Sequence, residues 1–156
     1  MTLEPHILSI SRDALDAQAT IFSGQLFRFH TTDASTIIGV QGKNVIQLEQ
    51  RPNAIHAFTS HAAPKNYLHS FLNLDTVDLP ALADAWCDVP LFADAWKNQP
   101  GIRITKQDPH ECIFAFLCAS AAPINRISQM LNTLSKHHGT HITDDLYAFP
   151  TIKQLL

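Results

Sequence analysis

The sequence predicts an α+β protein, in which an antiparallel sheet with flanking helices is followed by the first helices of a helical domain. Between residues 20 and 60, short apolar and β-branched runs are separated by turn residues, as in strands joined by tight turns. After Pro64 the apolar residues recur every three or four positions, which is the spacing of helices. The pair Asp108-Pro109 then marks the start of a helix that belongs to the second part.

The predicted sheet has about four strands, and the turn residues between them divide it. Residues 41–43, Gln-Gly-Lys, separate two β-branched runs and predict a hairpin, and residues 52–53 form the next break. Within the first strand, Phe27 and Phe29 are expected to face one side and Arg28 the other. The strands are expected at residues 21–30, 36–40, 45–49 and 54–60, with a further strand or irregular lead-in near residues 6–10.

Three short helices are predicted between the sheet and a hinge at residues 99–101, Gln-Pro-Gly. They are expected near residues 67–72, 79–86 and 90–96. Residues 102–105 alternate like a short strand. We place the domain boundary here, so that residues 1–106 form the α+β unit and residues 107–156 begin a helical unit that is truncated.

The helical unit opens with a strong capping signal. Asp108 is the expected N-cap, Pro109 takes the first helical position, and Glu111 stands where a capping box requires an acid. Residues 112–119 are apolar on every side, which predicts a buried central helix. After a short elbow a second helix is predicted, which ends at Gly139. Its apolar face consists of Ile124, Ile127, Leu131 and Leu134.

The tail carries a further helix start at Pro150 and Thr151, and this helix would run directly off the last residue. We read this as a sign of a shortened protein or a fragment. An exposed apolar patch is therefore expected against residues 112–119, where absent helices would pack.

Composition limits the class of protein. The chain has 156 residues, of which 46% are hydrophobic and 16% charged, and is therefore globular rather than disordered. Its net charge is −3, which argues mildly against tight DNA binding, because nucleic-acid binders are usually basic. The three cysteines form no C-x-x-C pair and fit a reducing compartment, two of them as core residues of the helix at residues 112–119. No secretory signal and no membrane partner is predicted.

Four blocks of this sequence carry a family resemblance: SGQLFRF at residues 23–29, FLNLD at 71–75, GIRITKQDP at 101–109, and QDPHECIFAFLCAS at 107–120, which NRI follows at 125–127. In order and roughly in spacing they resemble the 8-oxoguanine DNA glycosylases, from about residue 21 to the end. The resemblance implies a TATA-binding-protein-like N-terminal domain and a part in base-excision repair of oxidised DNA. The implied partner is double-stranded DNA with oxidised guanine, a base that these enzymes flip into a pocket. No cofactor is implied.

The resemblance assigns roles to two residues. Gly24 matches the family's glycine, whose backbone carbonyl accepts a hydrogen bond from a proton that oxidised guanine has and guanine lacks; glycine permits that close approach. Without the resemblance, Gly24 is a bend or bulge before a strand. Arg126 matches the arginine that reads the estranged cytosine, and its alternative is a solvated residue on the polar face of its helix.

The elbow between the two helices departs from the family pattern. Where the family has three consecutive asparagines that fill the hole left by the flipped base, this chain has Ala121, Ala122 and Pro123. Alanine offers no hydrogen-bonding group and is too short to fill a base-sized gap. Lesion recognition is therefore expected to be weak or lost.

No residue of this sequence matches the lysine nucleophile or the catalytic aspartate of the family. In the family these residues lie in and after a hairpin-helix-hairpin, beyond the point that matches Leu156, and Lys153 merely sits in the tail. A lysine that attacks the sugar also needs a lowered pKa. We therefore assign no catalytic residue, leave enzyme activity uncertain, and expect that a separate C-terminal catalytic segment has to supply the chemistry.

No metal site is predicted, although the chain has nine histidines. The candidate groups lack a cysteine or carboxylate partner at ligand spacing, so solvated side chains are expected instead. These groups are His56 with His61, and His137 and His138 with His141.

Trp86 and Trp96 are candidates for base stacking, but their helical spacing favours core packing. Three aspartates, Asp84, Asp88 and Asp94, are expected on the outer faces of the same helices.

Three functions remain open. The chain is the N-terminal portion of an 8-oxoguanine DNA glycosylase-like protein, a non-catalytic DNA-binding domain, or a degenerate interaction domain. The SGQ block favours the first, and the charge and the altered elbow favour the third over the second. The first function implies the bacterial cytoplasm at the nucleoid, or the nucleus of a eukaryote.

Overall fold

A five-stranded antiparallel sheet is the centre of the N-terminal part in the computed structural model, which describes residues 2–32, 36–60, 63–64, 66–120 and 122–156. The strands are β1 (Leu3–Leu8), β2 (Phe29–Thr31), β3 (Thr36–Gln41), β4 (Asn44–Arg51) and β5 (Ala54–Ser60). Their order in the sheet is β1-β5-β4-β3-β2, so β1 and β2 form the two edges. The predicted class, an antiparallel sheet with flanking helices, is confirmed.

The hairpins of the sheet follow the turn residues. Gln41 pairs with Asn44 across the Gly42-Lys43 turn of β3 and β4, as predicted. β4 returns into β5 at the Arg51 and Ala54 pair. β1 adds the fifth strand, a few residues earlier than the lead-in expected near residues 6–10, and pairs along its whole length with β5.

The prediction of one strand over residues 21–30 is wrong. Ile21 instead ends a short helix, α1 (Ala17–Ile21), whose N-cap Asp16 accepts a hydrogen bond from the Ala19 amide. The chain then turns at residues 22–25, and of the predicted strand only Phe29 and His30 lie in β2. Phe27 and Phe29 consequently pack into different hydrophobic clusters instead of sharing one side.

The remaining helices agree closely with their predicted positions. They are α2 (Tyr67–Phe71), α3 (Leu79–Trp86), α4 (Pro90–Asn98), α5 (Pro109–Ala119), α6 (Ile124–His138) and α7 (Ile152–Leu155), with a small hairpin of β6 (His141–Thr143) and β7 (Leu146–Tyr147) after α6. Residues 102–105 form no strand, contrary to the prediction. Within the part of the chain that the structure describes, no helix has both the length and the apolar character needed to cross a membrane.

Two separate hydrophobic clusters hold the fold together. The sheet core is built from the inner face of the sheet and from α1 and α2, and it includes Leu15, Ile21, Ile46, Leu48, Ile55, Phe71 and Leu72. The helical core lies between α5, α6 and the segment before α7, and consists of Ala115, Ile127, Leu131 and Phe149, against which Phe27, Phe114, Cys118, Ala122 and Leu134 pack. Among the described residues of the N-terminal part, Phe27 is thus the one that packs against the helical core.

Several residues predicted for the core lie at the surface instead. Trp86 is 51% exposed and Trp96 is only half-buried, so neither has the core position that helical spacing favoured. Cys112 is exposed and Cys118 is half-buried. The tryptophans lie at the surface because α3 and α4 contain no buried residue. Cys112 is exposed because part of α5 is uncovered in this chain, whereas Cys118 packs against the helical core.

Candidate functional site

Gly24 lies in the exposed turn that follows α1. Its φ of +89° belongs to the left-handed region that favours glycine, and no atom lies within 4 Å of where a Cβ would stand. The Ser23 hydroxyl donates to the Thr20 carbonyl at 2.9 Å and closes the turn from the helix side. Among the described residues, none donates a hydrogen bond to the Gly24 carbonyl. The bend is therefore real, and the backbone within it is open to an approaching molecule.

Gln25 fixes this turn to a distant part of the chain. Its Nε2 donates to the carbonyl of Arg103 at 2.7 Å and to the hydroxyl of Ser23 at 2.8 Å. Its Oε1 accepts from the amide of Thr105 at 2.9 Å and from the hydroxyl of the same residue at 3.3 Å. The Gln25 side chain thus makes the backbone hydrogen bonds to residues 103–105 that a neighbouring strand would otherwise make. It thereby anchors the turn that contains Gly24.

Arg103 completes the attachment of this segment. Its backbone amide donates to the Thr20 hydroxyl at 3.1 Å, and its buried guanidinium donates to the carbonyls of Ala14, Asn73 and Val77 at 2.7 to 2.9 Å. These bonds explain why the segment is no strand although its side chains alternate: the backbone groups of Arg103 and Thr105 pair with the side chains of Thr20 and Gln25 and not with a neighbouring strand. Burial lowers the pKa of Arg103, and Asp78 opposes that change.

A buried ion pair joins the Gly24 region to α5. Arg28 Nη1 lies 3.3 Å from Glu111 Oε1, and the two side chains are 3% and 9% exposed. Glu111 Oε2 accepts a hydrogen bond from the Gly42 amide at 3.0 Å. The other Arg28 nitrogen, Nη2, donates to the Tyr147 carbonyl, and the guanidinium lies over the Phe149 ring at 5.6 Å. We call this group of five residues the junction.

Burial dominates the electrostatics of the junction. It lowers the pKa of Arg28, and the neighbouring Glu111 works against that change. It raises the pKa of Glu111, and Arg28 and the Gly42 amide work against that change. The predicted capping box is wrong, because the Glu111 carboxylate is engaged by Arg28 and by the Gly42 amide. Asp108 does cap α5, by accepting from the amides of His110 and Glu111, but the Glu111 carboxylate serves as the counter-ion of Arg28.

One side of α5 is apolar and uncovered. Only Glu111 and Ala115 of this helix are buried, so the prediction of a fully buried helix is wrong for this chain. Ile113, Phe116 and Leu117 are 60%, 78% and 63% exposed. The expected apolar patch over residues 112–119 is thereby confirmed, and we call these three residues the α5 face.

The elbow carries the residues that depart from the family pattern. Ala122 is half-buried against the helical core, Pro123 is the exposed N-cap of α6, and Ala121 lies outside the described residues. Arg126 is exposed on the first turn of α6, and within the described ranges its side chain has no hydrogen-bond or ion-pair partner. Among the described residues no hydrogen bond or ion pair joins Arg126 to Gly24; Gly24 lies in the turn after α1, and Arg126 lies on the first turn of α6.

The exposed side of α6 forms a groove of about 550 Å³, the α6 groove, which begins at Arg126. Helix α6 contains Arg126, Lys136, His137 and His138 but no acidic residue, in a chain whose net charge is −3. The groove is lined by Arg126, Gln129, Met130, Thr133, Leu134, His137 and His138.

The histidines form no metal centre in the part of the chain that the structure covers. No group of three or more His, Cys, Asp or Glu side chains there is arranged to hold a metal ion. His61 lies outside the described residues.

Gln25, Arg28 and Glu111 were not among the predicted site residues. A signal for the ion pair exists, because Arg28 is flanked by Phe27 and Phe29 and Glu111 directly precedes the apolar run of residues 112–119, and a buried charge needs a partner. Gln25 carried no comparable signal, because its partners Arg103 and Thr105 are 78 and 80 residues away.

The comparisons with known proteins agree with the resemblance. The sequence profile of the 8-oxoguanine DNA glycosylase N-terminal domain matches residues 7–113. N-glycosylase/DNA lyase OGG1 of Arabidopsis thaliana is 31% identical over 162 residues, which is 95% of this chain and 43% of the plant protein. The N-glycosylase/DNA lyase of Saccharomyces cerevisiae is 31% identical over 167 residues, again 95% of this chain and 44% of the yeast protein. The chain spans less than half the length of these curated relatives.

Solved structures establish the fold. A structure of MBOgg1 in complex with a low-affinity DNA ligand superposes with a TM-score of 0.85 at 21% identity, and covers 99% of this chain and 56% of that one. The apo form of the 8-oxoguanine glycosylase/lyase of Clostridium acetobutylicum superposes with a TM-score of 0.84 at 22% identity and the same coverage. Because the family profile matches well over half of the sequence, this chain belongs to the 8-oxoguanine DNA glycosylase N-terminal domain family.

Proposed function

We propose that this chain is the DNA-recognition portion of an 8-oxoguanine DNA glycosylase-like protein of base-excision repair, and that residues 1–156 carry out no glycosidic chemistry on their own. Residues 1–106 form the recognition unit, and residues 107–156 begin the helical domain that a complete enzyme needs. The separation of the sheet core from the helical core supports this division.

The observation that carries the proposal is the uncovered α5 face. Contiguous apolar side chains as exposed as Phe116, at 78%, mark a surface on which another element packs. We propose that the element is a helical segment that carries the nucleophilic lysine, whether it belongs to the same polypeptide or to a second one. A lysine nucleophile requires a depressed pKa, and a dry, apolar contact such as this one favours that depression.

Two features of this chain are suited to DNA. The open carbonyl of Gly24 is held by Gln25 at a fixed position, so it can select a base by one hydrogen bond without any rearrangement. Arg126, at one end of the α6 groove, offers a cation to phosphate or to a base edge with no competing acid on the same helix. The elbow lacks groups to replace a flipped base, so we expect little preference for the lesion.

Fluorescence polarisation with two labelled duplexes tests the proposal. One duplex carries 8-oxoguanine opposite cytosine, and the other carries guanine at the same place. We expect weak binding that falls steeply with salt and differs little between the duplexes. Arg126→Ala should weaken binding severalfold, whereas Lys97→Ala, which removes the same charge from the acidic part of the chain, should leave it unchanged.

Each other outcome contradicts part of the proposal. Tight and lesion-selective binding would show that Ala122 and Pro123 do not impair recognition. An absence of binding at low salt would favour a degenerate interaction domain over a DNA-recognition unit.

A further inference from the structure

The hairpin of α3 and α4 contains no buried residue in either helix. We call residues 78–98 the acidic hairpin. Leu91 and Trp86 are 83% and 51% exposed. Leu82 lies one helical turn before Trp86, so both occupy the same side of α3. An apolar surface of this kind costs solubility unless something covers it.

The aromatic rings of the hairpin form a continuous row. Trp86 and Phe92 join the two helices with ring centroids 6.4 Å apart. Phe92 and Trp96 stack along α4 at 6.3 Å and 10°. These contacts give the hairpin a defined shape although neither hydrophobic core includes it, so its exposed side is a preformed surface.

The hairpin is strongly acidic. Residues 78–98 contain four aspartates and one lysine, so this short segment alone carries −3, the net charge of the whole chain. Asp78 caps α3 by accepting from the Ala81 amide at 3.1 Å. The carboxylates of Asp84, Asp88 and Asp94 are exposed and have no partner in the regions that the structure describes.

We propose that the acidic hairpin is a docking surface for a basic amphipathic helix of another protein. Aspartates beside apolar and aromatic side chains complement a helix that carries leucines on one side and lysines or arginines on the other. DNA does not fit, since three unpaired carboxylates repel phosphate. The surface shares no residue with the α5 face or with the α6 groove.

Tryptophan fluorescence of the intact chain tests this proposal directly, because both tryptophans of the protein lie on the hairpin. The probe is a designed helical peptide of about 18 residues with a leucine face and a lysine face. A second peptide replaces every lysine by glutamate. We expect the lysine peptide to bind with a blue shift of the emission and with an affinity that falls as salt rises, and the glutamate peptide not to bind.

Two variants and a control locate the binding. We expect the double variant Asp84→Lys, Asp88→Lys, and separately Leu91→Ser, to lower the affinity for the lysine peptide by about tenfold or more. The circular dichroism spectrum should stay unchanged, because all three residues are exposed. Phe116→Ser on the α5 face should have no effect. Equal binding of both peptides, or loss of binding only in Phe116→Ser, would overturn the proposal. So would a dimer of the chain alone that Leu91→Ser dissociates, since the hairpin would then be a self-association surface.

Discussion

At the scale of single residues, the ion pair of Arg28 and Glu111 matters most. Two opposite charges are buried together between the sheet and α5, and the guanidinium also binds the Tyr147 carbonyl. Desolvation makes such a pair expensive to form, but once formed it is expensive to break, because the partner that remains is a buried and unpaired charge. The pair therefore specifies how the helical unit is attached to the sheet.

Glu111→Gln should lower the free energy of unfolding by about 3 kcal/mol near neutral pH, because Arg28 then stays buried without a counter-ion. The matched control is Asp145→Asn, which removes a carboxylate from the exposed pair with Lys136 and should cost less than about 1 kcal/mol. Urea denaturation of the two variants measures both values. Equal losses would show that the junction contributes no more than a surface pair.

Tyr67 provides the pH prediction. Burial raises the pKa of its hydroxyl to about 12, and the nearby Glu111 and Asp108 add to the rise, while Asn44 opposes it. In the unfolded chain a tyrosine ionises near pH 10, so between about pH 10 and 12 the folded state keeps a proton that the unfolded state has lost. Stability should therefore fall as the pH rises through that range.

The measurement for Tyr67 uses Tyr147→Phe, which leaves a single tyrosine. The ultraviolet absorbance of tyrosinate should then appear near pH 12, in one step, with the loss of structure. Ionisation near pH 10 in a chain that is still folded would contradict the burial of this hydroxyl.

At the scale of elements, α5 shows what an apolar pattern determines. A helix that is apolar all round indicates that every side is meant to be covered, but it does not identify the covering element. In this chain Ala115 packs on the helical core, and Ile113, Phe116 and Leu117 meet nothing that buries them. The pattern was therefore correct about the character of the helix and wrong about its burial here.

Phe116→Ser should change the free energy of unfolding by no more than about 0.5 kcal/mol, because the side chain is 78% exposed. Leu131→Ala, in the helical core, should cost about 2 to 5 kcal/mol. Chemical denaturation compares the two. If Phe116→Ser were as damaging as Leu131→Ala, the α5 face would have to be covered within this chain.

Whether the other elements could be predicted depends on how far apart in the sequence the residues that define them lie. The hairpin of β3 and β4 and helices α3, α4 and α6 were predictable, since turn residues, N-caps and helical spacing are local features. The course of residues 21–30 was not, because it depends on Gln25 and Arg28, whose partners are about 80 residues away. Nothing in the alternation of LFRF indicates that one phenylalanine joins each core.

At the scale of the whole molecule, the junction is one of several contacts that join the sheet core to the helical core. Phe27 packs against the helical core, and the Phe149 amide donates to the Gly42 carbonyl at 2.9 Å. Gln25 instead binds the turn of Gly24 to residues 103–105 within the N-terminal part. The candidate site was identifiable from sequence only through its motifs. The packing of Ala122 against the helical core depends on tertiary contacts, which no local pattern encodes.

The central claim is that residues 1–156 recognise DNA without the nucleophile for its repair. Borohydride trapping on a labelled duplex with 8-oxoguanine opposite cytosine tests this most directly, because borohydride reduces the imine that a lysine forms with the sugar. We predict no covalent adduct at any protein concentration that gives measurable binding. A trapped adduct that survives denaturing electrophoresis would contradict the claim and would place an active lysine within this sequence.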